Sequence, residues 1–169
     1  MSIIDAQQAL QIAHHALQQS PVRSDPLFAP WPQAVLGQPL QVMTVFRQPS
    51  YWLVPVLIRN RAAGFVRILP DGTVSAVGAF YRDPSKIESS PLVVTGISAA
   101  EASLNVRALV HAEQGEVAED PVFVHDGPPG REAWLVEVRR QGHPTRWIFA
   151  GPGGVYERPA GQARDESLE

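Results

Sequence analysis

The side chains best equipped for chemistry in this sequence are five histidines: His14, His15, His111, His125 and His143. Imidazole is the commonest metal ligand and the one ordinary side chain that titrates near neutral pH. Their spacing works against both roles. His14 and His15 are adjacent, and neighbours on a helix point about 100° apart, so they cannot share one ion as residues four apart do. His111 falls near the end of a predicted helix, where a positive charge meets the helix dipole favourably. His125, followed by Asp126, ends a predicted strand and His143 lies in a predicted hairpin turn. The two could meet across a meander, but the spacing supplies no third ligand. Neither a metal nor a cofactor is expected.

Other catalytic chemistries find no footing. The chain has no cysteine, which removes thiolate nucleophiles, thiolate metal sites and disulfides. No G-x-S-x-G elbow occurs to lift a serine nucleophile. The glycine-rich stretches GPPG (residues 127–130) and GPGG (151–154) carry prolines, which lack the N–H groups a phosphate cradle needs, and neither opens a helix. Asp71, Asp83, Glu88 and Glu132 fall at turns and strand edges, where solvation is the default. Fourteen Lys+Arg against seventeen Asp+Glu, a net charge of −3, leave no basic stripe for nucleic acid. The expectation is a binding protein and not an enzyme.

The candidate binding residues are Phe28 and Trp31, with Arg59 and Arg61. Phe28 and Trp31 ride on residues 21–39, where Pro21, Pro26, Pro30, Pro32 and Pro39 remove backbone donors and hold the chain extended. Either the two rings close over an apolar end as a lid, the favoured reading, or they form an exposed anchor for a partner. Arg59 and Arg61, at a nearby turn, would rim that patch.

The elements that must position these residues come twice. Asp5 with Gln8, and Ser98 with Glu101, have capping-box spacing, and Ile4 and Ile97 precede them as hydrophobic staples. Behind the first cap Ala9, Leu10, Ala13, Ala16 and Leu17 recur at helical spacing; behind the second, Ala102, Val106, Leu109 and Val110 do so. The first helix should stop by Ser20, before Pro21, and the second near Gly115. Each helix is followed by period-two alternation. Leu40, Val42, Thr44 and Phe46 begin it in the first half, followed by strands over 51–59, 63–69 and 74–81. The second half repeats the order over 121–125, 132–140, 145–150 and 155–158.

At an offset of 82 residues Trp52 matches Trp134, Val54 matches Val136, Val56 matches Val138, Phe65 matches Trp147, and Gly72 matches Gly154, without a gap. Self-similarity of this kind sets the unit of architecture. The expected fold is α+β: two repeated units, each one amphipathic helix packed on a three- to four-stranded antiparallel sheet. The units should span residues 1–92 and 93–169, with a frayed tail after Pro159.

The second half, with ISAAEA at residues 97–102 and EAWLVEVRRQGHPTRWIFAGPGGVYE at 132–157, resembles the PepSY domain. The likeness rests on the Ile-Ser-x-x-Glu-Ala helix start, a Trp-x-Val-x-Val strand, and a turn that in the first half reads PDGTV. That resemblance implies a non-enzymatic module that binds or inhibits peptidases. The expected function is accordingly protein or peptide binding. Two alternatives are an immunity-like protein that recognises a cognate toxin or effector, and a small-ligand carrier with a pocket between the units. A protein or peptide partner is expected, and a homodimer is compatible with the sequence. No nucleic acid and no membrane are expected, since no run of about 18 apolar residues occurs. The N-terminus lacks the charge and apolar pattern of a leader, which points to the cytoplasm.

Overall fold

In the computed structural model, which describes residues 3–162 and only the backbone of Ser20, reciprocal caps start the two longer helices. Asp5 accepts from the Gln8 N–H at 2.8 Å while Gln8 accepts from the Asp5 N–H at 2.9 Å, opening α1 (Ala6–Ala16). A short helix, α2 (Ser20–Ser24), follows, then 3-10 turns at Pro26–Phe28 and Trp31–Gln33. The strands β1 (Val35–Leu36), β2 (Leu40–Thr44), β3 (Pro49–Ile58), β4 (Arg61–Ile68) and β5 (Val74–Ala79) come next. Ser98 and Glu101 then cap one another, at 3.1 and 2.7 Å, to open α3 (Ala99–Arg107). After it run β6 (Glu116–Ala118), β7 (Val122–His125), β8 (Glu132–Arg140), β9 (His143–Gly151) and β10 (Gly154–Pro159). Both helices end earlier than their periodicity suggests. Beyond α3 the chain tightens into a 3-10 turn that stops at the left-handed Gly115.

The expected α+β fold of two repeated units, each one helix on a three- to four-stranded antiparallel sheet, is corrected by the strand pairing. All ten strands belong to one mixed, mostly antiparallel sheet, in the order β10-β9-β8-β7-β2-β3-β4-β5, with β1 beside β3 and β6 beside β8. Strand outweighs helix, 39% to 25%. The physical reason lies in a parallel pair, Met43 opposite Val124 and Thr44 opposite His125. An open strand edge leaves backbone donors and acceptors unpaired, and joining β2 to β7 removes two such edges. Alternation within a strand reports its faces but not its neighbour.

Contacts group the chain into two compact units: Met1–Val42 with Ser50–Val94, and Met43–Pro49 with Thr95–Glu169. In unit 1, Ala9, Ala13 and Ala16 of α1 bury against Val54, Val56, Val66 and Ile68. Small residues on the helix let it lie close to the sheet. In unit 2, Ala102 and Val106 of α3 pack on Val136, Val138, Ile148 and Ala150. The opposite face of that sheet carries Val124, Leu135, Trp147 and Phe149, with Met43 and Val45 against them.

The hairpins of the two units share their register. Trp52 pairs with Ile68, Val54 with Val66 and Ile58 with Arg61; Trp134 pairs with Ala150, Val136 with Ile148 and Arg140 with His143. A register shift follows Val56 in one and Val138 in the other. Each hairpin closes through two residues at positive φ, Arg59 and Asn60 in the first, Gln141 and Gly142 in the second, as a turn matched to strand twist requires. Among the described residues no helix is long and apolar enough to cross a membrane.

Candidate binding groove

Proline starts short helical turns in unit 1 because its fixed φ suits the first helical position, where an N–H would be unpaired anyway. Pro26 stands at the first position of its turn, and Pro21 and Pro32 stand at the second, where the N–H has no partner within the helix either. The Asp25 carboxylate accepts from the Leu27 N–H at 2.9 Å, tightening the second turn. The Tyr81 hydroxyl donates to the Leu27 carbonyl at 2.7 Å and ties the segment down. Burial holds that hydroxyl above its ordinary pKa, offset in part by the neighbouring Trp31 indole.

Trp31 is only 4% exposed. Its ring lies on Gly64, where a Cβ would stand 2.5 Å from Trp31 Cζ2 and closer still to the Gly78 carbonyl oxygen. Phe28 leans on the indole with ring centroids 4.4 Å apart. Among the described residues Trp31 Nε1 is buried and, although the Tyr81 hydroxyl lies near it, makes no hydrogen bond of ordinary geometry, a net cost that the packing of the ring must outweigh. The indole is thus a wall of the core and not an exposed anchor.

Between this wall, α1 and β1 runs a groove of about 730 Å³. Leu10 of α1, Leu17 just past its end, Val22 of α2, Phe28, Trp31 and Leu36 give it an apolar lining. Among the described residues its charged or titratable members are His14 and Arg23, and no carboxylate lines it. His14 Nδ1 lies 3.4 Å from the Gln18 side-chain nitrogen.

The floor of the groove ends at an open backbone. The Gly37 N–H donates to the Pro55 carbonyl at 2.8 Å, and Leu36 stands opposite Val56. Bonded and non-bonded pairs alternate along antiparallel strands, so the N–H and C=O of Leu36 point away from β3. Unit 2 has the same phase: the Glu119 N–H donates to the Glu137 carbonyl at 2.9 Å, and Ala118 stands opposite Val138. Beside Ala118 lies a smaller groove of about 210 Å³, lined by Ser103, Val106, Arg107 and Val110 of the helix side and by Ala118, Glu119 and Asp120.

The buried carboxylates are engaged elsewhere in unit 2. Asp126 receives both guanidinium nitrogens of Arg158, at 2.6 and 3.0 Å, and the Tyr156 hydroxyl at 2.7 Å. Glu116 accepts from the His111 N–H at 2.9 Å and from Arg146 at 2.7 Å; that backbone bond, with the Arg146 charge, holds it below the usual carboxylate range. Glu137 accepts from Trp147 Nε1 at 3.0 Å and from Arg139 Nε at 3.0 Å. Each is tied into strand–strand bracing.

Of the residues picked from sequence, Phe28 and Trp31 line the groove. Arg59 and Arg61 do not. Arg59 sits exposed in the β3–β4 turn, and Arg61 donates to the Ser90 carbonyl at 2.8 Å. His125 and His143 pair with opposite ends of β8, opposite Glu132 and Arg140, too far apart to share an ion. Sequence reasoning missed Arg23, Leu36 and the groove-facing role of His14. The one available signal was the offset of 82, which aligns Leu36 with Ala118 but says nothing of the helix beside it. Compared with known proteins, the chain matches no family model, and no curated protein and no solved structure is significantly similar to it.

Proposed function

We propose that this chain is a non-catalytic module that binds an extended peptide or protein segment, and that the segment lies in the unit 1 groove. The observation that carries the reading is the outward-facing backbone of Leu36 beside an apolar trough. A strand edge can accept an added strand, with main-chain bonds giving affinity and side pockets giving selectivity. Leu10, Leu17, Val22 and Phe28 offer apolar surface for the alternate side chains of such a strand. The matched registers of the two hairpins further support a tandem pair of diverged PepSY-like segments, a class in which binding without catalysis is the expectation.

The test is a selection from a random peptide library on the whole protein, followed by amide exchange on the complex. The Leu36 N–H should exchange more slowly when a selected peptide is bound. Methylating alternate backbone nitrogens of that peptide should abolish binding in one phase and spare it in the other. Peptides that bind equally well in both methylated phases would sink the added-strand reading. A volume of about 730 Å³ also suits a small amphipathic molecule, and a library that yields no binder would favour that second reading.

A further inference from the structure

We propose that the segment received by the unit 1 groove is acidic, with a Glu or Asp side chain set against Arg23 and His14 while apolar neighbours fill the trough. This rests on the peptide-binding reading above and adds the chemistry of the ligand. Among the described residues Arg23 has no ion-pair partner, and the groove lining holds no carboxylate. The nearest acid in sequence, Asp25, is spent on the Leu27 N–H.

Unit 2 supplies an internal comparison. Counted from their caps, Leu10 and His14 of α1 and Leu17 just beyond it correspond to Ser103 and Arg107 of α3 and Val110 beyond it, and both sets line a groove. Each groove therefore has a basic side chain at the same helical position. The strand sides differ. In unit 2, Ala118 is followed by Glu119 and Asp120, which line the groove, although Glu119 pairs with Arg47 and Arg139 at 3.2 and 2.7 Å. At an offset of 82 the unit 1 counterparts are Gly37 and Gln38. Unit 1 thus has an imidazole at that position, adds the Arg23 guanidinium, and lacks the acids. A strand carrying its own carboxylate would supply the negative charge that the Arg23 side of this lining lacks.

The experiment uses peptides with alternating leucines, acetylated and amidated at their ends so that no terminal charge contributes, and carrying Glu, Gln or Lys at one position. Binding to the full chain is followed by fluorescence anisotropy. The Glu peptide should bind about tenfold more tightly than the Gln peptide, the scale of one charge-assisted hydrogen bond. Arg23→Gln should erase most of that preference, and Arg23→Glu should shift the preference to Lys. Arg23 is exposed, so both variants should fold, which circular dichroism checks. Equal binding of Glu and Gln peptides would overturn the acidic ligand and leave peptide binding standing. Binding by none of the three, with a medium-chain fatty carboxylate bound instead, would overturn both.

Discussion

Trp134 donates its indole N–H to the carbonyl of Ile97 at 2.9 Å. Its counterpart at the offset of 82, Trp52, donates to the carbonyl of Ile4 at 3.2 Å. In each unit the tryptophan-bearing strand, β3 or β8, thus grips the residue just before a helix cap, so the staple position is held by a hydrogen bond as well as by apolar contact. Replacing Trp134 with Phe should cost about 1–2 kcal/mol, from one lost bond and an unpaired carbonyl. Urea unfolding would measure it. An unchanged midpoint would show that the bond does not secure the start of α3.

Gly64→Ala tests the wall of the groove. The new methyl would meet Trp31 Cζ2 at 2.5 Å, and the Gly78 backbone behind it leaves no room to yield. Overpacking of this kind costs about 1–3 kcal/mol. The indole should be pushed outward, and tryptophan emission should shift to the red. The same substitution in a Trp31→Phe background should give no such shift.

The Asp126–Arg158 pair tests the bracing of unit 2. Asp126 is 1% exposed, and the Arg158 guanidinium also lies 4.6 Å from the Phe149 ring centre. Arg158→Met strands a buried carboxylate and should cost about 3–5 kcal/mol. Asp126→Leu combined with Arg158→Met removes both charges and should recover much of that loss. A double variant no more stable than Arg158→Met alone would contradict the assignment.

Glu137 gives a pH dependence with a fixed sign. Burial pushes its pKa up, but donation from Trp147 and Arg139 and the nearby Arg47 charge outweigh it, so the folded value lies below the ordinary 4.5. A depressed carboxylate adds stability above its unfolded pKa and loses it as pH falls through the folded one. Stability should therefore be complete above about pH 5 and decline below the ordinary carboxylate range. In Glu137→Gln the decline should be shallower. An identical acid-unfolding curve for both proteins would remove Glu137 from the linkage.

What could be seen in the sequence was local. Asp5 with Gln8 and Ser98 with Glu101 announce their caps, because the bonds involved span three residues. The hairpins of Trp52 and Trp134 announce themselves through alternation and a common offset. The pairing of Met43 with Val124 has no such trace, since a non-local strand contact leaves no mark on local periodicity. The prolines misled for a physical reason. Pro21, Pro26 and Pro32 suggest an extended segment, yet proline is equally at home at the first position of a helical turn, and three turns form there. Arg59 and Arg61 are close in sequence to a buried strand, but neither is among the residues that line the groove. Arg23 gave no sign of its setting, because the turns that bring it to the groove were not foreseen.

Unit 2 takes Met43–Pro49 from far upstream, and Phe46 from that piece sets its ring edge-on to Trp147 with centroids 5.6 Å apart. During synthesis, Phe46 leaves the ribosome long before Trp147 exists. Until the last hairpin arrives, the early piece has nothing to cover, and a fragment starting at Thr95 would carry a bare tryptophan face into solution. Such a fragment should clump or self-pair, whereas adding a peptide copy of residues 43–49 should rescue its solubility.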